Sequence, residues 1–197
     1  MSFSVALSPH PDSPASGIAG LWVEGHWEDD LLALTYRLAG DLNTLCFPTP
    51  ENPAEPDRLW AHSCFEVFWA RPDVPDAYCE YNFSPSGQWA SYAFSAYRAR
   101  AHQIEPLAPS SVLWQRTPKP TPDSPIPDSL YCSVLLPLPE VDAFRFGLAA
   151  VLERTDGRLC YFALRHPPGA PDFHHPINFA LELSRHDPPF RSRPFSC

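Results

Sequence analysis

The chain has 197 residues, 44% of them hydrophobic, with 26 prolines, 13% aromatic residues and a formal net charge of −9. That apolar content supports a folded core and excludes global disorder, and the length suits one sizeable domain rather than two. The acidic balance, with a pI near 5.2, excludes nucleic acid and anionic membrane surfaces as partners, because both demand a basic footprint.

In chain order, the opening MSFSVALSPHPDSP carries neither a basic n-region nor a long apolar h-region, so no secretory signal is read there. No apolar run reaches the length of a membrane span. The expectation is a cytoplasmic protein whose six cysteines, Cys46, Cys64, Cys79, Cys132, Cys160 and Cys197, stay reduced. None of them forms a CxxC pair, which disfavours a zinc knuckle or a thioredoxin motif.

Helix formers are sparse and proline belongs in edges and connections, so short strands are expected throughout. LLALTYRLAG (31–40) predicts a strand stopped by Gly40. CFEVFWA (64–70) sends Phe65, Val67 and Trp69 to one face and Cys64, Glu66 and Phe68 to the other. YCEYNFS (78–84) puts Tyr78, Glu80 and Asn82 on one side and Cys79, Tyr81 and Phe83 on the other. The tetrapeptide Ser84-Pro85-Ser86-Gly87 is a tight turn, and QWASYAFSAYR (88–98) returns antiparallel. VLWQR (112–116) predicts a further strand, and TPKPTPDSPIPD (117–128) reads as a proline-rich loop insertion. SLYCSVLLPL (129–138), FRFGLAAVLE (144–153), LCYFALRH (159–166) and FALELS (179–184) complete the set, with a hairpin turn at Thr155-Asp156-Gly157. About nine antiparallel strands over residues 1–197 predict an all-β, single-domain, two-sheet β-sandwich of jelly-roll type.

Three blocks, LWAHSCFEVF (59–68), YCEYNFSPSGQWASYAFSAYR (78–98) and ALRHPPGAPDFHHPINFALEL (163–183), together with LSPHPDSP (7–14) and TYRLAGDL (35–42), resemble bacterial DOMON-like proteins related to family 9 carbohydrate-binding modules. The resemblance spans nearly the whole chain. It implies a jelly-roll β-sandwich with a non-catalytic binding heritage, in a wider superfamily whose members bind sugars or haem in a cleft. Met1 is the only methionine, so a methionine–histidine haem ligation is unavailable, and no cofactor is expected. The chain carries no flavin or dinucleotide fingerprint.

Sugar binding needs an aromatic ring over the apolar face of a pyranose and polar groups placed at its hydroxyls. The candidates are Trp60, Glu66, Tyr78, Glu80, Asn82, Trp89 and Tyr92. A charge inside a sandwich is costly unless paired, so the face bearing Glu66, Glu80 and Asn82 is either a lined cleft or an ordinary solvated surface. Trp60 and Trp89 are either ligand platforms or packing at a sandwich edge. A paired-carboxylate hydrolase using Glu66 and Glu80 is the alternative. Cys–His catalysis with Cys64 or Cys160 lacks any feature that would lower a thiol pKa.

The stretch PGAPDFHHPINF (169–180) sets His174 beside His175, and adjacent residues in an extended loop point to opposite sides. The pair reads first as a loop lock, then as ligand contact, and last as part of a metal site with His166 and Asp172. His174 is assigned to the cleft, with Asp172 orienting its ring, and His175 to the buried lock. The expected function is non-catalytic binding of a carbohydrate or other small polar ligand through Trp60, Glu66, Glu80, Asn82, Trp89, His174 and His175, with no metal. A carboxylate- or metal-assisted hydrolase and a protein-interaction module acting through residues 117–128 are the alternatives.

Overall fold

Period-two alternation, interrupted by prolines, gives thirteen strands rather than nine among the residues that the computed structural model describes, 2–13, 15–117 and 128–185. In chain order they are β1 (Ser2–Pro9), β2 (Ile18–Glu28), β3 (Leu31–Gly40), β4 (Leu45–Cys46), β5 (Cys64–Ala70), β6 (Tyr78–Phe83) and β7 (Trp89–Ala96). β8 (Ala99–Arg100), β9 (Ser111–Arg116), β10 (Ser129–Pro137), β11 (Ala143–Arg154), β12 (Leu159–Ala163) and β13 (Leu181–Ser184) follow. Every pairing between them is antiparallel. The expected strand at 159–166 stops at Ala163, and the one at 179–184 starts at Leu181. The proline-rich insertion (117–128) lies outside the described residues apart from Thr117 and Asp128, and Asp128 forms an ion pair with Arg116 of β9.

The hydrogen-bonded order is β8-β7-β6-β5-β11-β12-β1-β2-β3-β10-β9, with β13 and β4 also on β11. β1 divides its pairing between two layers. Residues 2–7 pair with β2, and Ser8 and Pro9 pair with β12. The first layer is β1-β2-β3-β10-β9, and the second runs from β8 to β12.

One face of each layer meets the other. Tyr36 of β3 stacks on Phe65 of β5 with ring centroids 5.1 Å apart, and its hydroxyl donates to the carbonyl of Glu66 at 2.7 Å. Trp27 of β2 packs against Phe144 of β11 at 5.8 Å, and Phe65 also meets Trp114 of β9 at 5.3 Å. The alternation read from CFEVFWA places Phe65, Val67 and Trp69 in this shared core and Glu66 and Phe68 on the reverse side.

β2 was hidden by its glycines. A Cβ on Gly25 would lie 2.5 Å from the ring of Phe3 in β1, and one on Gly20 would lie 2.3 Å from the indole of Trp22. In each case the missing side chain gives an aromatic ring room to lie across the strand. The expected turns are present: Gly87 and Gly157 have φ of 88° and 81°, a left-handed backbone that glycine adopts without strain.

Candidate functional site: a cleft on the reverse face of the second layer

The face of β5, β6 and β7 turned away from the shared core does not meet open solvent. It carries Glu66, Phe68, Tyr78, Glu80, Asn82, Tyr92 and Phe94, and all of these are buried. Two segments cover it. One is the 3-10 turn Pro56–Ala61, and the other is the loop through residues 165–180, which lays Phe173, His174 and Phe179 over Phe68 and Tyr78. Between these covers lies a cleft of about 710 Å³.

Trp60, Glu66, Glu80 and His174 converge on this cleft, together with Tyr92. Trp60 stands at its margin, 47% exposed, with the Arg58 guanidinium 5.9 Å from its ring centroid. Glu66 and Glu80 are only 3% and 4% exposed. Asn82 lies beneath rather than in the cleft: it is fully buried and its Nδ2 donates to Glu80 Oε1 at 2.6 Å. Tyr78 also supports the site from below, through its bond to His174.

His174 is fixed through Tyr78. Tyr78 Oη accepts from the backbone N–H of Arg98 at 3.0 Å, and among the described residues His174 Nδ1, 2.9 Å away, is the one acceptor in reach of its phenolic proton, which assigns that proton to the shared bond. The imidazole therefore keeps its proton on Nε2, which lies 3.8 Å from Glu80 Oε2. Burial, helped by Arg98, pushes its pKa down to about 4 against the pull of Asp172. The contact with Glu80 is thus a neutral N–H beside a carboxyl group and not an ion pair at neutral pH.

Asp172 does not orient the imidazole ring. It accepts from the backbone N–H of His174 at 3.1 Å, from Tyr97 Oη at 2.6 Å and from Arg98 Nη2 at 2.8 Å. It thereby ties the loop to the turn between β7 and β8. Arg98, at the centre of that turn, has a φ of 54°. A non-glycine residue pays about 1–2 kcal/mol for that conformation, and here the contacts to Tyr78 and Asp172 hold it.

His175 does not line the cleft and is not buried. Its Nδ1 accepts from the N–H of Ile177 at 3.2 Å, capping the short 3-10 turn Pro176–Asn178. The division of roles read from the sequence is thereby altered, because the ring that is hydrogen-bonded beneath the loop and the ring that faces the cleft both belong to His174, whose side chain is 16% exposed. His174→Ala leaves Tyr78 Oη without its acceptor and should cost about 1–3 kcal/mol. His175→Ala, which removes an exposed cap from a single 3-10 turn, should cost about 0.5 kcal/mol, the low end for a lost cap. Parallel thermal melts of the two variants check this, and equal melting temperatures would contradict it.

Trp89 is not in the cleft. It pairs with Phe83 and so shares the face of Tyr81 and Phe83, opposite to Tyr92, and it is 41% exposed at the end of β7. His166 is also elsewhere: its Nε2 donates to the carbonyl of Ser8 at 2.8 Å, and its ring meets His10 edge-on at 4.9 Å. Among the described residues no three of His, Cys, Asp and Glu are gathered so as to hold a metal ion. The trio His166, Asp172 and His174 is therefore not a ligand set.

Glu66 is opposite Asn82 and Glu80 is opposite Phe68, so the two carboxyls are diagonal neighbours on one floor. A glycosidase holds its two carboxyls about 5–9.5 Å apart across the bond to be cleaved, a requirement on their separation. Burial pushes Glu66 well above the usual carboxylate range, and the neighbouring Glu80 pushes it further. Burial also pushes Glu80 up to about 7, against the pull of Asn82, Arg100 and Arg98. The Cys64 thiol is raised by burial and then by Glu66, the reverse of what a nucleophile needs.

Three arginines of the cleft, Arg58, Arg98 and Arg100, were not singled out from the sequence, and neither were Tyr161 and Phe173. A signal existed in YRAR (97–100), where a basic pair at alternate positions follows the meander in a chain with only 14 Lys and Arg.

No family model matches the chain. No curated protein matches it either. Among solved structures it is similar to a proposed carbohydrate-binding protein from Bacteroides uniformis, with a TM-score of 0.57 at 14% identity, covering 93% of this chain and 85% of that one. The likeness is one of fold. A family 9 carbohydrate-binding module from Caldicellulosiruptor kristjanssonii, in complex with cellotriose, gives a TM-score of 0.49 at 10% identity over 84% of this chain and 74% of that one. The same module in complex with glucose gives 0.49 at 9% identity over 84% and 75%.

Proposed function

We propose that the chain is a β-sandwich of jelly-roll type, related to family 9 carbohydrate-binding modules, that binds a sugar in the cleft without transforming it. One observation carries the reading. Glu66 Oε1 and Tyr92 Oη are buried, line the cleft, and have no hydrogen-bond partner among the described residues. A buried polar atom left unpaired costs about 1–3 kcal/mol, so two of them in one cleft favour an occupant that brings hydrogen-bonding groups. Trp60 adds an exposed ring at the rim, and an apolar ring face beside polar groups is how a protein matches a pyranose. The fold likeness to a proposed carbohydrate-binding protein agrees with this reading.

A glycan array followed by calorimetry tests it. Trp60→Ala, at an exposed position, should leave thermal stability within about 0.5 kcal/mol of the parent. It should also weaken glycan affinity by about tenfold or more, the loss expected when an aromatic contact of about 1.5 kcal/mol is removed. Absence of glycan binding by the parent protein would refute the proposal. Turnover of a bound glycan would refute its non-catalytic part.

A further inference from the structure

Building on that sugar reading, we infer that the occupant is an acidic sugar, a hexuronate, whose carboxylate is received by Arg100 beside the carboxyl pair Glu66 and Glu80. The chain holds 14 Lys and Arg against 23 Asp and Glu, yet three arginines line this one cleft. Two of them have acidic partners. Arg98 is held by Asp172 at 2.8 Å, and Arg58 lies 3.9 Å from Glu55 on the surface. Arg100 has no acidic partner within ion-pair distance among the described residues. Its guanidinium carbon lies 3.9 Å from the centroid of the Tyr92 ring, over its face. Stacking engages the flat of a guanidinium and leaves its in-plane N–H groups directed outward, in the fork that fits two carboxylate oxygens.

The remaining groups of the cleft are donors in surplus. Tyr92 Oη has no partner, and His174 presents Nε2–H. Glu66 has a bare buried oxygen, and burial together with Glu80 favours the protonated, donating form of its carboxyl. Against these stand Asp57 and the second oxygen of Glu80. A neutral sugar hydroxyl donates as readily as it accepts, whereas a carboxylate only accepts, and so balances the set. A dianionic phosphate would meet the partly charged Glu80 at close range, which a monoanion sharing a proton with the pair avoids.

The charged and titratable groups facing the carboxyl pair are Cys64 on β5, Tyr92 on β7, Arg98, Arg100, Tyr161 on β12, Asp57, Arg58 and His174. Cys64, Tyr92 and Tyr161 are raised, and His174 is lowered to about 4. The carboxyl pair itself, with Glu80 at about 7, is what changes charge near neutrality. An anion binds best when the pair is protonated, so affinity should fall as pH rises and binding should take up protons. A neutral sugar that needs a carboxylate acceptor would give the opposite slope.

The test is calorimetry on the full chain at pH 6 and pH 8 with glucuronate, galacturonate, glucose, galactose, glucose 6-phosphate and acetate. We expect one uronate to bind at least tenfold more tightly than its neutral parent and more tightly at pH 6 than at pH 8. Arg100→Gln, at an exposed position, should collapse that ratio to near one while the variant melts like the parent. A neutral sugar binding as tightly as its uronate overturns the inference and leaves the sugar reading intact. Tighter binding of glucose 6-phosphate overturns it as well. Acetate matching the uronate overturns both, since the ring then contributes nothing, whereas binding of none of the six overturns the inference and leaves the sugar reading to the glycan array.

Discussion

Glu80→Gln should make the protein more stable at pH 8, by about 2–3 kcal/mol, and leave it unchanged at pH 4. In the unfolded chain this carboxyl loses its proton near its ordinary 4.5, and in the fold it does so at about 7, chiefly because of burial. Between those values the folded state binds more protons than the unfolded state. Stability therefore falls as pH rises through the window and stays low above it. At about 1.36 kcal/mol per pH unit, the full loss is about 3 kcal/mol. Glutamine has no proton to lose and retains a carbonyl oxygen for the Asn82 amide. His174 acts in the opposite sense, because its pKa falls from the ordinary 6.5 to about 4, so stability gains as pH rises across that span. The His174 and Glu80 slopes oppose each other between about pH 4.5 and 6.5, the Glu80 loss completes near pH 7, and the raised Glu66 adds a fall in the same sense as Glu80. Urea unfolding of parent and variant at pH 4, 6.5 and 8 reads this directly. A variant less stable than the parent at pH 8 would mean that Arg98 and Arg100 hold the ionised carboxylate better than burial expels it.

Gly147→Ala should be destabilising by about 1–3 kcal/mol although it adds only a methyl group. A Cβ at that position on β11 would lie 2.7 Å from Asn178 Nδ2 and 3.1 Å from its Cγ. Asn178 has little room to yield. It is fully buried, and its Nδ2 donates to the carbonyl of Phe173 at 3.0 Å, which fastens the loop next to His174. The variant should therefore weaken ligand binding along with stability. Asn178→Ala removes the same fastening, so the double variant should be no less stable than Asn178→Ala alone. Additive losses in that double-mutant cycle would show that the glycine serves something other than this close approach.

The strand pattern carried much of this architecture in plain view. Period-two alternation placed Glu66, Glu80 and Asn82 with Phe68 and Tyr78, away from Phe65 and Tyr81, and that is their arrangement. The same alternation also separates Trp89 from Tyr92, three residues apart on one strand, so grouping them in one site went against the pattern itself. Burial of the carboxyl face was not legible. Its cover comes from residues 56–61 and 165–180, and nothing in a single strand records what a distant loop lays over it. The proline-dense spacing of PPGAPDFHHP revealed a rigid loop, but not that Tyr78, 96 residues away in sequence, would choose which imidazole nitrogen carries the proton.

β1 passes from one layer to the other within a single strand, with Leu7 opposite Leu21 and Ser8 opposite Ala163. The first of these pairings needs nothing beyond the opening hairpins, and the second waits for a residue 155 positions later. On the ribosome, which adds about 5–20 residues per second, that is a delay of roughly 8–30 s during which Ser8 and Pro9, the last two residues of the strand, have no mate. Over the same interval β5, β6 and β7 can already pair with one another, while the edge of β5 destined for β11 stays open. An edge of that kind is where a nascent chain recruits a neighbour instead of itself. The order of synthesis thus leaves the closing of the second layer to the end, and makes yield in a crowded cell a matter of how quickly β11 and β12 arrive.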